Sequence, residues 1–297
     1  MNMVKNSGNE LVSVQLKTLV NLAKPASLLK LHHAKIRSSQ SGGFVSSFKG
    51  RGMEFDEARL YQPGDDIRSI DWRVTARTGK THTKVFREER ERPVFISVDN
   101  RSAMQFATRG VFKSVQAAKI AALLAWVAQH KGDRIGGQFF TGSQCQEVKP
   151  QNGKHAVLRF FNVLVKVSTE LNNEITLEHV LARLVQHARP GSLVYIISDF
   201  RGLDQKAENH LAKLSSHCDV VLVHIYDAIE SHLPAKGRYR FTDEQHDVVV
   251  DTGDKQRILQ YQQRYQIRLE HLQKLAKKLG LVFFQCSTSD DPVEILR

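Results

Sequence analysis

The chain has 297 residues, 41% of them hydrophobic and 25% charged, the make-up of a soluble globular protein with one large core or two modest ones. No apolar run approaches the roughly 18–20 residues of a membrane span, and the first residues lack the apolar core of a secretory leader. Cys145, Cys218 and Cys286 are widely spaced singletons, which argues against a disulfide framework or a zinc knuckle and makes a reducing, cytoplasmic setting the expectation.

The formal net charge is +12, and residues 1–48 hold a disproportionate share, six Lys or Arg against Glu10 alone. Apolar spacing over residues 11–23 predicts a helix stopped by Pro25, and residues 26–36 a second short helix rich in Lys and His. The Ser- and Gly-rich run 38–43 reads as a flexible joint, so residues 1–43 form a basic helical arm. Such an arm can lie on nucleic acid or an anionic surface, or simply present a solvated helix.

Residues 44–92 change in texture and read as an extended or hairpin segment. Pro63 and Gly64 set a turn within Tyr-Gln-Pro-Gly-Asp-Asp at 61–66. The stretch 67–74, containing Trp72, follows, then a turn at 78–80, a strand over 81–87 and a charged lead-in at 88–92. Eleven basic and nine acidic side chains crowd residues 49–93. That mixture suits either a fixed ion-pair lattice or a recognition surface.

The run Val-Phe-Ile-Ser-Val at 94–98 is a short buried strand ending abruptly at Asp99, Asn100 and Arg101. From there strands and helices alternate: a helix over 111–130, a strand 133–140 turning into 144–148, and helices over 154–167 and 176–188. A second fully apolar strand, 193–198, ends in Asp199. A helix over 203–216, a strand over 220–226 and a hairpin insert near 228–252 follow. A long amphipathic helix over 255–279, a strand over 281–285 and a short helix over 292–297 complete the chain. This alternation predicts an α/β fold with a doubly wound, mainly parallel sheet over residues 93–297.

Gly79-Lys80-Thr81 looks like the end of a phosphate-binding loop, but position 74 is Val where that loop needs Gly. There is no pair of His at helical spacing around a Glu and no Gly-x-Ser-x-Gly elbow. Asp99 and Asp199 are sharper. Each ends an apolar strand, and each is followed within three residues by Arg, at 101 and 201. In an open α/β sheet the ligand crevice lies at the carboxyl ends of the strands. Two carboxylates there need a cation or hydrogen-bond donors between them, and hard oxygens suit Mg²⁺ or Mn²⁺. The other reading of each Asp is a cap on the next turn or helix.

The block made of Gly-Arg-Gly at 50–52, Glu-Phe-Asp-Glu at 54–57, Arg59, the 61–68 turn, Ile-Asp-Trp-Arg at 70–73, Thr-Ala-Arg-Thr at 75–78 and Glu-Glu-Arg-Glu-Arg-Pro at 88–93 resembles the signature of the domain-of-unknown-function family 58. Asp-Arg-Ile-Gly at 133–136 and Ile-Ile-Ser-Asp-Phe at 196–200 are similar to that family as well. The resemblance implies a fold of von Willebrand factor A type, which would set Asp99 and Asp199 side by side. It also implies a MoxR-type AAA+ ATPase as partner and an unknown client.

In von Willebrand factor A domains a metal site uses D-x-S-x-S, a Thr from a later loop and a final Asp. Asp99, Thr176 and Asp199 match, whereas Arg101 and Ala103 stand where the two serines belong. The resemblance therefore implies a degenerate site in which Arg101 stands in for Mg²⁺ or Mn²⁺, and no other cofactor is expected. The contact surfaces expected are this crevice and the signature block with Arg68, Asp71, Trp72, Arg73 and Arg77. For Trp72 core packing beside the sheet is the other reading. The function expected is a non-enzymatic interaction module, an adaptor or co-chaperone of the ATPase. The alternatives are a metal-dependent hydrolase using Asp99 and Asp199, and a nucleic-acid or anionic-surface binder using the basic arm.

Overall fold

A run of β-branched and aromatic side chains flanked by charge makes a buried strand, and residues 93–99 form the centre of the sheet accordingly. The computed structural model describes residues 7–31, 53–88, 92–166, 175–234, 237–242, 247–251, 253 and 255–297. The chain begins with three short helices, α1 (Ser7–Val12), α2 (Leu16–Asn21) and α3 (Ala23–Ala26). Next come β1 (Met53–Leu60), α4 (Trp72–Thr78) and β2 (His82–Glu88). The alternating part runs β3 (Pro93–Asp99), α5 (Lys113–His130), β4 (Arg134–Phe140), β5 (Cys145–Gln151), α6 (Gly153–Val165), α7 (Leu177–His187), β6 (Leu193–Ser198), α8 (Gln205–Ser215) and β7 (Asp219–Tyr226). It closes with α9 (Ala228–Ser231), β8 (Arg238–Thr242), β9 (Asp247–Asp251), α10 (Lys255–Leu279), β10 (Val282–Ser287) and α11 (Pro292–Ile295).

These elements fall into two units, Met1–Lys35 with Arg92–Arg297, and Ile36–Glu91. The first is built on a six-stranded sheet in the order β10-β7-β6-β3-β4-β5. All neighbours pair in parallel except β4 and β5, whose short connection through Thr141 makes an antiparallel hairpin. The doubly wound, mainly parallel α/β sheet is thus present, and winding reverses between β3 and β6.

Because side chains alternate across a strand, one sequence run feeds two cores. Val94, Ile96 and Val98 of β3 join Tyr195, Ile197, Val221 and Val223 on one face, under α5 and α6. Phe95 joins Val194, Ile196, Val220 and Leu222 on the other, under α7, α8 and the C-terminal half of α10. Helix α5 is apolar nearly all round, as a helix covered on both sides must be. Part of its cover is the N-terminal segment: Leu19, Ala26, Leu29 and Leu31 are buried in the first core, and Trp126 Nε1 donates to the Leu19 carbonyl at 3.0 Å.

Two local expectations are corrected. The helix expected over 11–23 is divided between α1 and α2, and Pro25 lies inside the four-residue α3 instead of ending a helix. A proline in the first turn of a helix loses no intrahelical hydrogen bond, so α3 tolerates it. The stretch around Trp72, expected to be extended, is helical. Asp71 caps α4 by accepting from the N–H groups of Arg73 (3.1 Å) and Val74 (3.2 Å), and Gly79 ends it at φ 70°. The second short helix beyond residue 31, the joint at 38–43, the Gly-Arg-Gly at 50–52 and the lead-in at 89–91 lie outside the described residues.

The second unit is held by its own turns. β1 and β2 pair antiparallel with an irregularity between Phe55 and Glu57. Asp65 accepts from Arg59 at 2.7 Å and from the Gln62 N–H at 2.9 Å, which holds its carboxyl below the usual range, the Arg59 hydrogen bond contributing most. Asp66 caps a short 3₁₀ turn, Ile67–Ser69, and the Asp71 N–H reaches the His82 carbonyl at 2.8 Å. These carboxylates serve the backbone, while Ile67 and Trp72 are each 67% exposed.

Candidate functional site

The site grows from the two strand ends. β3 and β6 are sheet neighbours, with Val98 opposite Ile197, so Asp99 and Asp199 emerge together at the carboxyl edge where winding reverses. Asp99 is fully buried. Its Oδ1 accepts from the Arg101 backbone N–H (3.0 Å) and Nε (3.1 Å), and its Oδ2 from Arg101 Nη2 (2.7 Å) and Ser198 Oγ (2.6 Å). The turn after β3 folds Arg101 back onto the residue two before it, and Phe140 lies under the guanidinium at 5.6 Å. Arg101 Nη2 also donates to the Arg201 carbonyl at 3.0 Å and stands 4.0 Å from Asp199 Oδ1.

A second cation enters from below. Lys113, the first residue of α5, is 0% exposed, and its Nζ lies 3.1 Å from Asp199 Oδ2 and 2.9 Å from Glu230 Oε1. Arg201 closes the group from outside, 3.4 Å from Asp199 Oδ2 and 2.6 Å from Glu230 Oε1. Glu230 is held in turn by a capping box, its Oε2 accepting from the Asp227 N–H at 3.0 Å. Three carboxylates and three cations thus interlock at one strand edge, an arrangement that buried charges require.

The two aspartates differ electrostatically. Burial pushes the Asp99 carboxyl up, against the pull of Arg101 and Ser198, and the nearby Asp199 adds to the rise. Burial acts on Asp199 as well, but the Lys113 ammonium and the Arg201 N–H and guanidinium outweigh it and hold that carboxyl below its ordinary range. Below this layer Asp227, also buried, accepts from Thr108, Ile229 and Thr288 and ties the loop before α5 to the end of β7.

Of the metal-type residues, Asp99 and Asp199 come together with Arg101, whereas Thr176 has another task. Its hydroxyl accepts from the His179 N–H at 3.3 Å as the N-cap of α7. Position 103 is an alanine in a 3₁₀ turn, Ser102–Met104. Set against a divalent ion the donor set fits poorly: the hydroxyls are missing or capping, and the carboxylate oxygens already face an ammonium or a guanidinium. Among the described residues no group of three or more His, Cys, Asp or Glu is arranged to hold a metal ion.

Sequence reasoning missed Lys113, Ser198, Asp227 and Glu230. Only the Ser-Asp pair closing an apolar strand at 198–199 carried a signal. In the second unit Arg68, Trp72, Arg73 and Arg77 are exposed around α4, while Asp71 is its cap. Among the described residues no helix is long and apolar enough to cross a membrane.

Several known proteins are similar to this chain. Uncharacterized proteins of Mycobacterium bovis and Mycobacterium tuberculosis are 28% identical over 211 residues, covering 70% of this chain and 66% of theirs. The chain therefore spans a little under two thirds of the length of these relatives. Among solved structures, an aerotolerance-related membrane protein from Bacteroides fragilis is 13% identical, covering 69% of this chain and 96% of that one, with a TM-score of 0.47. The conserved hypothetical protein BatB from Bacteroides thetaiotaomicron is 13% identical over 68% and 94%, with a TM-score of 0.45. A von Willebrand factor type A protein from Catenulispora acidiphila is 11% identical over 49% and 35%, with a TM-score of 0.35. The family described as "Protein of unknown function DUF58" matches residues 57–271, most of the chain, and the protein belongs to that family.

Proposed function

We propose that the protein is a non-enzymatic interaction module that works with a MoxR-type AAA+ ATPase in assembling or remodelling a client complex. The observation that carries this reading is the closed charge group at the carboxyl edge of the sheet. Asp99, Asp199 and Glu230 are each engaged by tethered cations, so none stands free as a base, nucleophile or metal ligand. In place of a divalent ion, Arg101 and Lys113 hold the carboxylates, and the edge becomes a rigid platform. The hydrolase alternative would need a ligand set and a base that this arrangement does not offer. The ATPase link rests on the family resemblance, which speaks for a class of partner and not for a client.

The signature unit supplies the second contact surface. An exposed Trp72 beside exposed Arg68, Arg73 and Arg77 is the composition of an interface anchor. Affinity capture of the full chain from its native cell, with and without ATP, tests the reading. An AAA+ ATPase is expected in the eluate, reduced at least tenfold by Trp72→Ala with unchanged thermal stability. Recovery of no such ATPase under either condition overturns it.

A further inference from the structure

Between α10 and the carboxyl ends of β6 and β7 lies a cleft of about 390 Å³, one wall of which is the outer side of the charge group, where Asp199 and Glu230 are already paired with Arg201. That volume is in the range of sites that take a large apolar group. Phe200, His224 and Tyr265 form its aromatic part and Leu203, Leu269 and Leu272 its aliphatic part. His224 is 8% exposed, its ring stacked between neighbours at 5.8 Å (Tyr226) and 6.4 Å (Phe283). Its Nδ1 is buried with no hydrogen-bond partner among the described residues.

The rim has a definite sign. α10 carries seven Lys or Arg and one acid, Glu270. Arg264 and Arg268, one turn apart and exposed, form no ion pair among the described residues, and Arg268 borders the cleft. Ile267, 66% exposed, stands at the edge of the cleft itself, and the basic surface continues beyond the cleft along α10 to the exposed Arg264. The receptive surface is therefore longer than the cavity itself, which suits a chain segment better than a compact small molecule.

We propose that this cleft docks a segment of a partner protein in which an aromatic or branched apolar side chain is flanked by carboxylates. The apolar group enters between Phe200, Tyr265 and Leu272, and the flanking acids meet Arg264 and Arg268. The inference rests on the interaction reading in taking a protein segment as the occupant, and it does not depend on the ATPase.

Fluorescence anisotropy on the purified full chain tests it with three labelled twelve-residue peptides. One sets a single Phe among Asp and Glu, one replaces that Phe by Ala, and one sets the Phe among Lys. The first should bind at least tenfold more tightly than the other two, and Arg268→Glu and Leu272→Asp should each weaken it at least tenfold. Arg268 is exposed, so its variant keeps the folded far-UV spectrum even if Leu272→Asp does not. Equal binding of the Phe and Ala peptides, or undiminished binding to Arg268→Glu, overturns the proposal. Such a result leaves the ATPase reading standing, because capture from cells is a separate measurement. Loss of ATPase capture with peptide binding intact would count against the ATPase alone.

Discussion

Lys113 and Asp199, 86 residues apart in sequence, meet as a buried ion pair at 3.1 Å, with the lysine fully enclosed. Among the described residues no other cation compensates Asp199 and Glu230 from the buried side, Arg201 reaching them from outside. Lys113→Met removes the ammonium, sets a methyl group against both carboxylates on the buried side and leaves Arg201 as the cation they share. The expected cost is about 3–5 kcal/mol, because a buried charge loses its partner. Urea unfolding measures it, and Glu230→Gln in the Lys113→Met background should recover part of the loss. A Lys113→Met midpoint equal to that of the parent would show that the pair does not hold the edge.

Arg101 should exclude divalent ions for the same reason. Calorimetric titration with Mg²⁺ or Mn²⁺ is expected to show no saturable binding at the carboxyl edge. Tight binding that vanishes in Asp99→Ala would sink the tethered-cation account.

Acid should weaken the protein in two stages. Burial holds the His224 imidazole down to about 4, with Asp199 and Glu230 pulling it up and Lys113 and Arg268 pushing it further down. The unfolded chain therefore takes up that proton first as pH falls below about 6.5, and stability declines until the native ring protonates near 4. The size of this effect is about 3 kcal/mol. Asp199 and Asp227, held below their ordinary range, keep their contribution above the unfolded carboxylate pKa and lose it as pH drops through their folded values. Asp99, pushed up by burial, works in the opposite sense and offsets part of the decline. Unfolding midpoints at pH 7 and 4.5 should differ in the parent protein, and His224→Phe should flatten the difference. An equal slope in that variant would assign the acid sensitivity elsewhere.

The close spacing of β3 and β4 depends on Gly137. A Cβ there would lie 2.1 Å from the Ile96 carbonyl oxygen and 2.8 Å from the Phe160 ring. Gly137→Ala should therefore cost about 3 kcal/mol, the upper end for overpacking a tight core. A thermal midpoint within one degree of the parent would contradict it.

Long regular patterns were legible before any coordinates. The apolar run of β6 and the stripe along α10 fix their elements because each face is buried against one partner. The pairing of Asp99 with Asp199 needed the resemblance, since no local signal says which strands are neighbours. Lys113 was invisible for a different reason. A lysine opening a helix reads as solvated, and only the loop through Thr108, bound to Asp227, carries it under the sheet edge. The short helix at Trp72 had its cues in Asp71 and Gly79, a cap and a left-handed stop. Seven residues between two strands are too few for a periodic pattern to outweigh an extended reading.

Phe200 has the left-handed backbone, φ 54°, that side-chain-bearing residues seldom adopt. Its N–H donates to Ser198 Oγ, and that hydroxyl donates to Asp99. The two strand tips are therefore clasped through this hydroxyl as well as through Arg101, with one backbone joint held cocked by the hydroxyl. Release of Asp99 frees the hydroxyl and with it the joint, so the carboxyl edge should loosen as one piece and not residue by residue.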